Sequence, residues 1–364
     1  MLHQNTMAQW LGRQLSNQNN PAAYFDPLLE RLNPMWVRGY TPVRVEDVFE
    51  ETADTKTFVL RPSRRWQGFV AGQHANLTVE VDGVRHQRPF SLSSSPEQWE
   101  TEGTVTMTIK RQPQGLVTGW LHDQVRAGDW LEIGSAYGTC EPPQRPQQLL
   151  MIAGGSGITP FLSQLQWLYT RGYTAPITLI YLTRTPEDQI GAKVLHRLES
   201  SWPWLTVHWV TTEPDGDVPV LLSEQLARVD DLKRRETYLC GPPGLMDLAD
   251  SLLGEAGHPE ARRHRTSFTV ATAPLTDEDL GGTVTFSRSD VATEAEDDAS
   301  LLEVAESAQL RPEHGCRMGI CHQCSCRKLE GTVVNRLTGK TSGPGEETIQ
   351  LCVSVAKGPV TLDI

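Results

Sequence analysis

Four cysteines fall within residues 316–326, in the stretch HGCRMGICHQCSC, and a fifth, Cys352, follows in IQLCVSV. Thiols this crowded are paired in disulfides, bound to metal or reactive, and each choice dictates a different protein around them. Cys316, Cys321 and Cys324 are spaced C-x4-C-x2-C, and Cys352 stands twenty-eight positions after Cys324. With this spacing four thiolates hold a [2Fe–2S] cluster. Gly315 and Gly319 suit a loop that must bend tightly and bring backbone N–H groups to sulfur, because neither has a Cβ in the way. Structural zinc, the rival occupant, takes two separated C-x2-4-C pairs. Here there is one short pair, one wider pair and a lone distant thiol. Cys326 is off the pattern and reads as a buried thiol, as does Cys140.

Seven cysteines is an odd number for a closed disulfide framework. The first twenty residues, MLHQNTMAQWLGRQLSNQNN, lack a basic cluster followed by an apolar core, so they do not read as a secretory signal. No apolar run approaches the ~20 residues of a membrane span. The expected location is the cytoplasm, where thiols stay reduced. The formal charge of −12 argues against nucleic acid or an anionic membrane and suits a partner with a basic docking face. Residues 276–364 hold 8 Lys+Arg against 15 Asp+Glu, so the last quarter of the chain carries −7 of that excess, including the run Glu294–Asp298.

At 364 residues the chain exceeds one ordinary core. Residues 38–145 alternate apolar and polar, as at Ala75, Leu77, Val79 and Val81 or at Val105, Met107 and Ile109, which predicts an antiparallel β-barrel domain. From 146 to 270 the runs QLLMIAG, ITLIYLT, TVHWVTT and TYLCGP are nearly continuous in apolar residues, each followed by a helical segment. That predicts parallel strands covered on both faces, a doubly wound α/β domain. Residues 271–281 read as a polar linker. A third unit, 282–364, opens with the strand TVTFSRS and the helix SLLEVAESAQL. Residues 1–37 form an N-terminal extension, partly helical around FDPLLERL, with no assigned task.

Three further motifs carry chemistry. A flavin nucleotide needs a cation at its phosphate, a flat surface against its ring and a donor near N5, and Arg88, Phe90 and Ser91 of RPFSLSS can supply these from one strand. Such a run is common by itself and gains weight only beside the other signatures. GGSGITP, with Gly154, Gly155, Gly157 and Thr159, follows the strand LLMIA and opens a helix where backbone can reach a pyrophosphate. It has neither the G-x-G-x-x-G spacing nor a P-loop lysine. CGPPGLM, with Cys240, Gly241 and Pro242, follows the strand TYL at the edge where doubly wound sheets bind ligands. Arg184, past the second strand, can bind a 2′-phosphate, which favours NADPH over NADH, although Asp188 lies four residues on.

Residues 282–364 resemble a plant-type ferredoxin domain of β-grasp fold, with GCRMGICHQC matching its cluster loop. The order of barrel, α/β domain and C-terminal ferredoxin is similar to that of three-domain reductases in the ferredoxin-NADP reductase superfamily. Those of the phthalate dioxygenase reductase type and the electron-transfer partners of acyl-CoA desaturases are the nearest in pattern. The resemblance implies that Arg88 meets the flavin phosphate, that Phe90 packs at the ring where many relatives have Tyr, and that Ser91 lies near N5. It implies that Gly115 and Thr118 of GLVTGWL contact the pyrophosphate of FAD, preferred here over FMN, and that Cys240 stands near the hydride-transfer position. AGQH (71–74) matches a further element, and equally a tight turn. In RTSFT (265–269) Thr266 replaces a Glu found in many relatives. The implied function is electron transfer from NAD(P)H through flavin and [2Fe–2S] to a protein acceptor, an oxygenase, hydroxylase or fatty-acyl desaturase, by a monomer that docks at its acidic ferredoxin domain. A stand-alone oxidase or quinone reductase, and a redox-sensing binding module, are the competing functions.

Overall fold

Period-two alternation builds the first of three sheets. The computed structural model describes residues 32–364 except 82, 83, 139, 144, 214, 215, 267–279, 296–298, 311, 315–318 and 320–323. The lead-in before residue 32, most of the expected linker, part of the acidic run, residues 267–269 of RTSFT, Cys316 and Cys321 thus lie outside the described residues. The first sheet comprises β1 (Pro42–Thr52), β2 (Thr55–Pro62), β3 (His74–Val81), β4 (Val84–Ser91), β5 (Val105–Lys110) and β6 (Trp130–Tyr137). Helix α1 (Pro96–Glu102) precedes β5, and α2 (Leu116–Gln124) follows it. Strands lie in the order β4-β3-β6-β1-β2-β5, with every pair antiparallel. The end strands meet, because Leu92 bridges to Met107 and the Ser93 N–H donates to Thr106 O at 2.8 Å. The sheet therefore curls into the expected barrel.

Phe58, Leu60, Leu77, Leu121, Met107 and Ile133 fill the barrel, each burial contributing about 1.5–3 kcal/mol. Alternation is imperfect, however, since Thr57, Thr108 and Ser93 are buried as well. Their hydroxyls satisfy one another, Thr57 to Thr108 at 2.8 Å and Ser93 to Thr108 and Thr106 at 2.9 Å, so burial leaves none of them unpaired.

The second sheet is parallel throughout, in the order β11-β10-β7-β8-β9. Its elements are β7 (Leu149–Gly154), α3 (Thr159–Thr170), β8 (Ile177–Thr183), α4 (Ala192–Ser201), β9 (Leu205–Thr211), α5 (Val218–Ala227), β10 (Glu236–Cys240), α6 (Pro243–Glu255) and β11 (Arg263–Thr266). Successive β7 residues feed opposite cores. Leu149 and Met151 pack with Phe161 and Leu195, whereas Leu150 and Ile152 pack with Leu222 and Leu253. Covering both faces explains the unbroken apolar runs. Strand β11 escapes sequence reading because its residues, RHRT, are polar and lie at the edge of the sheet.

The third sheet combines β12 (Gly282–Phe286), β13 (Val291–Ala295), β14 (Ser325–Asn335), β15 (Glu347–Gln350) and β16 (Ser354–Leu362) in the order β13-β12-β16-β14-β15. Only β12 and β16 run parallel. Across it lies α7 (Leu301–Ser307), begun by a Ser300–Glu303 capping box. This mixed sheet under one helix is the expected β-grasp. The helix stops sooner than SLLEVAESAQL suggests, because Gln309 turns left-handed (φ 62°) and the Leu310 N–H returns to Ala305 O at 2.9 Å. Among the described residues no helix is long and apolar enough to cross a membrane.

Lys328 is wholly buried, and its ammonium donates to Gly331 O at 2.8 Å, Gly343 O at 2.9 Å and Gly345 O. It pins the long connection between β14 and β15 to the sheet. Lys328→Met, which strands these carbonyls, is expected to destabilise the third domain by about 2–4 kcal/mol. Heating the holoprotein should then bleach cluster absorbance earlier while flavin release is unchanged.

Candidate active site

The barrel presents its motif on β4, which pairs with β3 in the register Leu77↔Arg88, Ala75↔Phe90 and His74↔Ser91. Phe90 is half-buried against the barrel core, Ser91 is buried, and the Arg88 guanidinium donates to Gln87 O at 2.7 Å. The strand thus brings the three residues to one end of the barrel wall, beside the chain that closes it. Gly115 caps α2. The Thr118 hydroxyl accepts the Gln112 N–H at 3.1 Å and donates to Gly115 O at 3.3 Å, so it is engaged within the turn itself. A cavity of about 330 Å³ opens there, lined by Arg111, Gln112, Gly115, Leu116 and Trp120 among others. The turn and cavity fit a nucleotide tail. A larger cavity of about 890 Å³, bordered by Trp36, Arg64 and Trp99, is lined by none of the predicted site residues.

Two nucleotide motifs far apart in the chain touch backbone to backbone. Strands β7 and β10 are neighbours, with Ala153 opposite Cys240. Sheet order reverses between them, since the chain leaves β7 toward β8 on one side while β10 lies on the other. Ligands bind at such a switch point. A Cβ on Gly157 would fall 2.1 Å from Cys240 O, and one on Gly241 would fall 3.0 Å from Gly154 N. Only glycine lets the two turns approach so closely. The Thr159 hydroxyl donates to Ser156 O at 2.9 Å and holds the first turn of α3. Pro242 caps α6. Cys240 is 1% exposed, and burial pushes its thiol well above the usual range, so it presents a neutral S–H. Arg184, at the tip of β8, is ion-paired with Asp188 at 3.3 Å.

Barrel and α/β domain are tied by hydrogen bonds that sequence reading passed over. Gln166 Nε2 donates to Ser93 O at 2.9 Å, two residues beyond Ser91. The Gly191 N–H donates to Glu51 Oε2 at 3.3 Å. Gln164 Nε2 donates to Cys140 O at 2.5 Å, and Arg171 pairs with Glu97 at 3.3 Å. Long-range contacts of this kind leave no local pattern.

In the third domain Cys324 and Cys352 place their sulfurs 3.1 Å apart, beyond the ~2.05 Å of a disulfide. Both are buried, and the Leu351 N–H donates to Cys324 O at 3.0 Å. Gly319 adopts φ +70°, where a Cβ would meet Leu337 and Val353, and its N–H points at Cys352 Sγ from 3.3 Å. Gln350 Nε2 holds Gly319 O at 2.8 Å. Converging thiols with an amide donor are the donor set of a thiolate-bound cluster. Cys326, on β14, is buried, and its S–H is directed to Arg327 O at 3.5 Å.

A FAD-binding barrel, an NAD-binding α/β unit and a cluster-binding β-grasp define a modular oxidoreductase. Residues 37–141 match the oxidoreductase FAD-binding domain family, 151–251 the oxidoreductase NAD-binding domain family, and 284–357 the 2Fe-2S iron-sulfur cluster binding domain family. An "NADPH oxidoreductase" of Mycobacterium tuberculosis is 32% identical, the match covering 93% of this chain and 88% of that protein. The glycine betaine monooxygenase reductase subunit of Chromohalobacter salexigens is 27% identical over 93% and 99% of the two chains. Among solved structures, phthalate dioxygenase reductase superposes with a TM-score of 0.62 at 26% identity, covering 90% of this chain and 98% of that one. The chain belongs to this family of three-domain flavin, nicotinamide and [2Fe–2S] reductases, and is an NAD(P)H-dependent oxidoreductase.

His74, opposite Ser91 and edge-on to Tyr137 at 4.1 Å, has its pKa pushed down to about 4 by burial. The folded protein keeps it neutral while the unfolded chain protonates near 6.5, so stability is flat above that pH. As pH falls from 6.5 toward 4 the unfolded state binds the extra proton, and roughly 3 kcal/mol of stability is lost, levelling off below. Urea unfolding across this range should show the slope, and His74→Gln should reduce it. Buried His122 and His258, and half-buried His208, shifted the same way, supply the remainder.

Proposed function

We propose that this chain draws electrons from NADPH and delivers them to a separate iron-containing oxygenase, hydroxylase or desaturase. The carrying observation is that Cys324 and Cys352 converge in a sheet of their own, downstream of the flavin and nicotinamide folds. When bound, the nicotinamide supplies a hydride, the flavin accepts the pair, and the cluster hands electrons on singly. A redox-sensing module would not need the nicotinamide site, and a stand-alone oxidase would not need the cluster.

In this reading Arg88 holds the flavin phosphate, Phe90 borders the ring and Ser91 gives a hydroxyl near its reactive edge. Gly115 and Thr118 shape the turn for the FAD pyrophosphate. Gly154, Gly155, Gly157 and Thr159 form the NADPH pyrophosphate turn, and Cys240, Gly241 and Pro242 bound the nicotinamide end. Burial keeps Cys240 protonated, so it shapes and dries the pocket without acting as a nucleophile. Cys316 and Cys321 complete the cluster ligands. We take the domain limits as 38–145, 146–270 and 282–364, the working form as a cytoplasmic monomer, and the docking face as the acidic third domain. A partner with a basic face suits its −7 balance over residues 276–364.

Arg184 reads the 2′-phosphate, while Asp188, already on its guanidinium, competes. Arg184→Ala should raise KM for NADPH about tenfold with little change for NADH, and Asp188→Asn should move the ratio the other way. Steady-state rates with both coenzymes check this. Cys324→Ser should keep NADPH–ferricyanide activity and abolish reduction of a cluster-dependent acceptor protein. Rapid turnover of that variant with oxygen or quinone would favour the stand-alone oxidase instead.

A further inference from the structure

We propose that Tyr181 is a positioning residue that couples the two loops of the dinucleotide site, the glycine turn after β7 and the segment after β8. Tyr181 lies on β8, is wholly buried, and carries the lone hydroxyl pointing into that core from ITLIY. That hydroxyl donates to Gly155 O at 3.1 Å and accepts the Ile190 N–H at 3.0 Å. Gly154 and Leu182 already pair across β7 and β8, and Ile158 and Ile190 share one apolar core, but this one oxygen hydrogen-bonds the backbone of both stretches directly.

Each partner is a place where the backbone needs a fastener. Gly155 sits at φ +52° with open space where a Cβ would be, and its carbonyl accepts the Tyr181 hydroxyl. Ile190 ends the stretch that starts at Arg184 and Asp188, and the next residue, Gly191, donates its N–H to Glu51 of the barrel. The tyrosine thus lies between the turn read as the pyrophosphate cradle and the segment read as the 2′-side contact. Burial among apolar side chains pushes the phenol well above its ordinary range, so it remains a donor throughout the working pH. Removing the oxygen unties Gly155 O and Ile190 N together. Both halves of the site must then be ordered when the dinucleotide binds, at the expense of affinity.

The proposal rests on the reading of GGSGITP as the pyrophosphate turn, and the test separates the two. In the holoprotein, Tyr181→Phe should raise the dissociation constant for NADP+ and the KM for NADPH about tenfold, the scale of one or two buried hydrogen bonds. Its kcat at saturation, flavin content and cluster content should be unchanged. A role in stability alone would lower the unfolding temperature and leave the KM unmoved, and an unchanged dissociation constant would overturn the proposal. Ser156→Glu sets a carboxylate at the turn and should abolish NADP+ binding. Loss of binding there with none in Tyr181→Phe would leave the turn's role standing and remove Tyr181's, whereas normal binding by Ser156→Glu would remove both. If Tyr181→Phe does not fold, hydrogen exchange on the natural protein decides. NADP+ should slow the amides of 154–158 and of Ile190 together, and protection of the turn alone would contradict the coupling.

Discussion

The approach of two backbones at the switch point of the parallel sheet is the constraint on which the rest depends. Gly157 lies against Cys240 O so closely that no side chain fits, and a Cβ on Gly241 would crowd Gly154 N at 3.0 Å. That contact requires β7 and β10 to be neighbours, which in turn requires the sheet order to reverse between them. Helices on both faces hold this arrangement through two separate apolar cores. Turn N–H groups and the start of α3 supply a positive field there, suited to a pyrophosphate.

The barrel must then be held at a fixed distance from that crevice. Ser93, just beyond the flavin strand, accepts a bond from Gln166 on the helix that starts at the glycine turn. Glu51 reaches across to the N-terminal end of α4, and Gln164 ties Cys140 to the same helix as Gln166. These contacts join the proposed hydride donor and acceptor sites from both sides. In the third domain the same economy holds: Gln350 and the backbone of Leu351 orient the loop and the thiols, while Lys328 anchors the connection behind them.

Much of this was legible in the sequence. Unbroken apolar runs read correctly as strands covered on both faces, and alternation at Leu77, Val79, Met107 and Ile109 marked the barrel interior. Cysteine spacing pointed to the cluster, and the matching iron–sulfur domain family agrees. What was not legible has a common physical cause. Strand β11 is polar because it lies at an edge, and Thr57, Ser93 and Thr108 are buried because their hydroxyls find one another across strands. Gln166, Glu51, Tyr181 and Lys328 act on backbone groups up to 140 residues away. A side chain's partner at that separation leaves no local period to read, although a single tyrosine in a largely apolar strand such as ITLIYLT is itself a signal.

The central claim is that electrons enter as a pair at the crevice and leave singly through the thiol-held cluster to another protein. Anaerobic rapid mixing of the holoprotein with NADPH, followed at the flavin and cluster absorbance bands, tests it most directly. The account predicts that flavin bleaching comes first, that cluster bleaching follows at a rate independent of NADPH concentration, and that an added acceptor protein reoxidises the cluster before the flavin. A cluster that stays oxidised, or one that reduces while Cys324→Ser still feeds the acceptor at full rate, would contradict it.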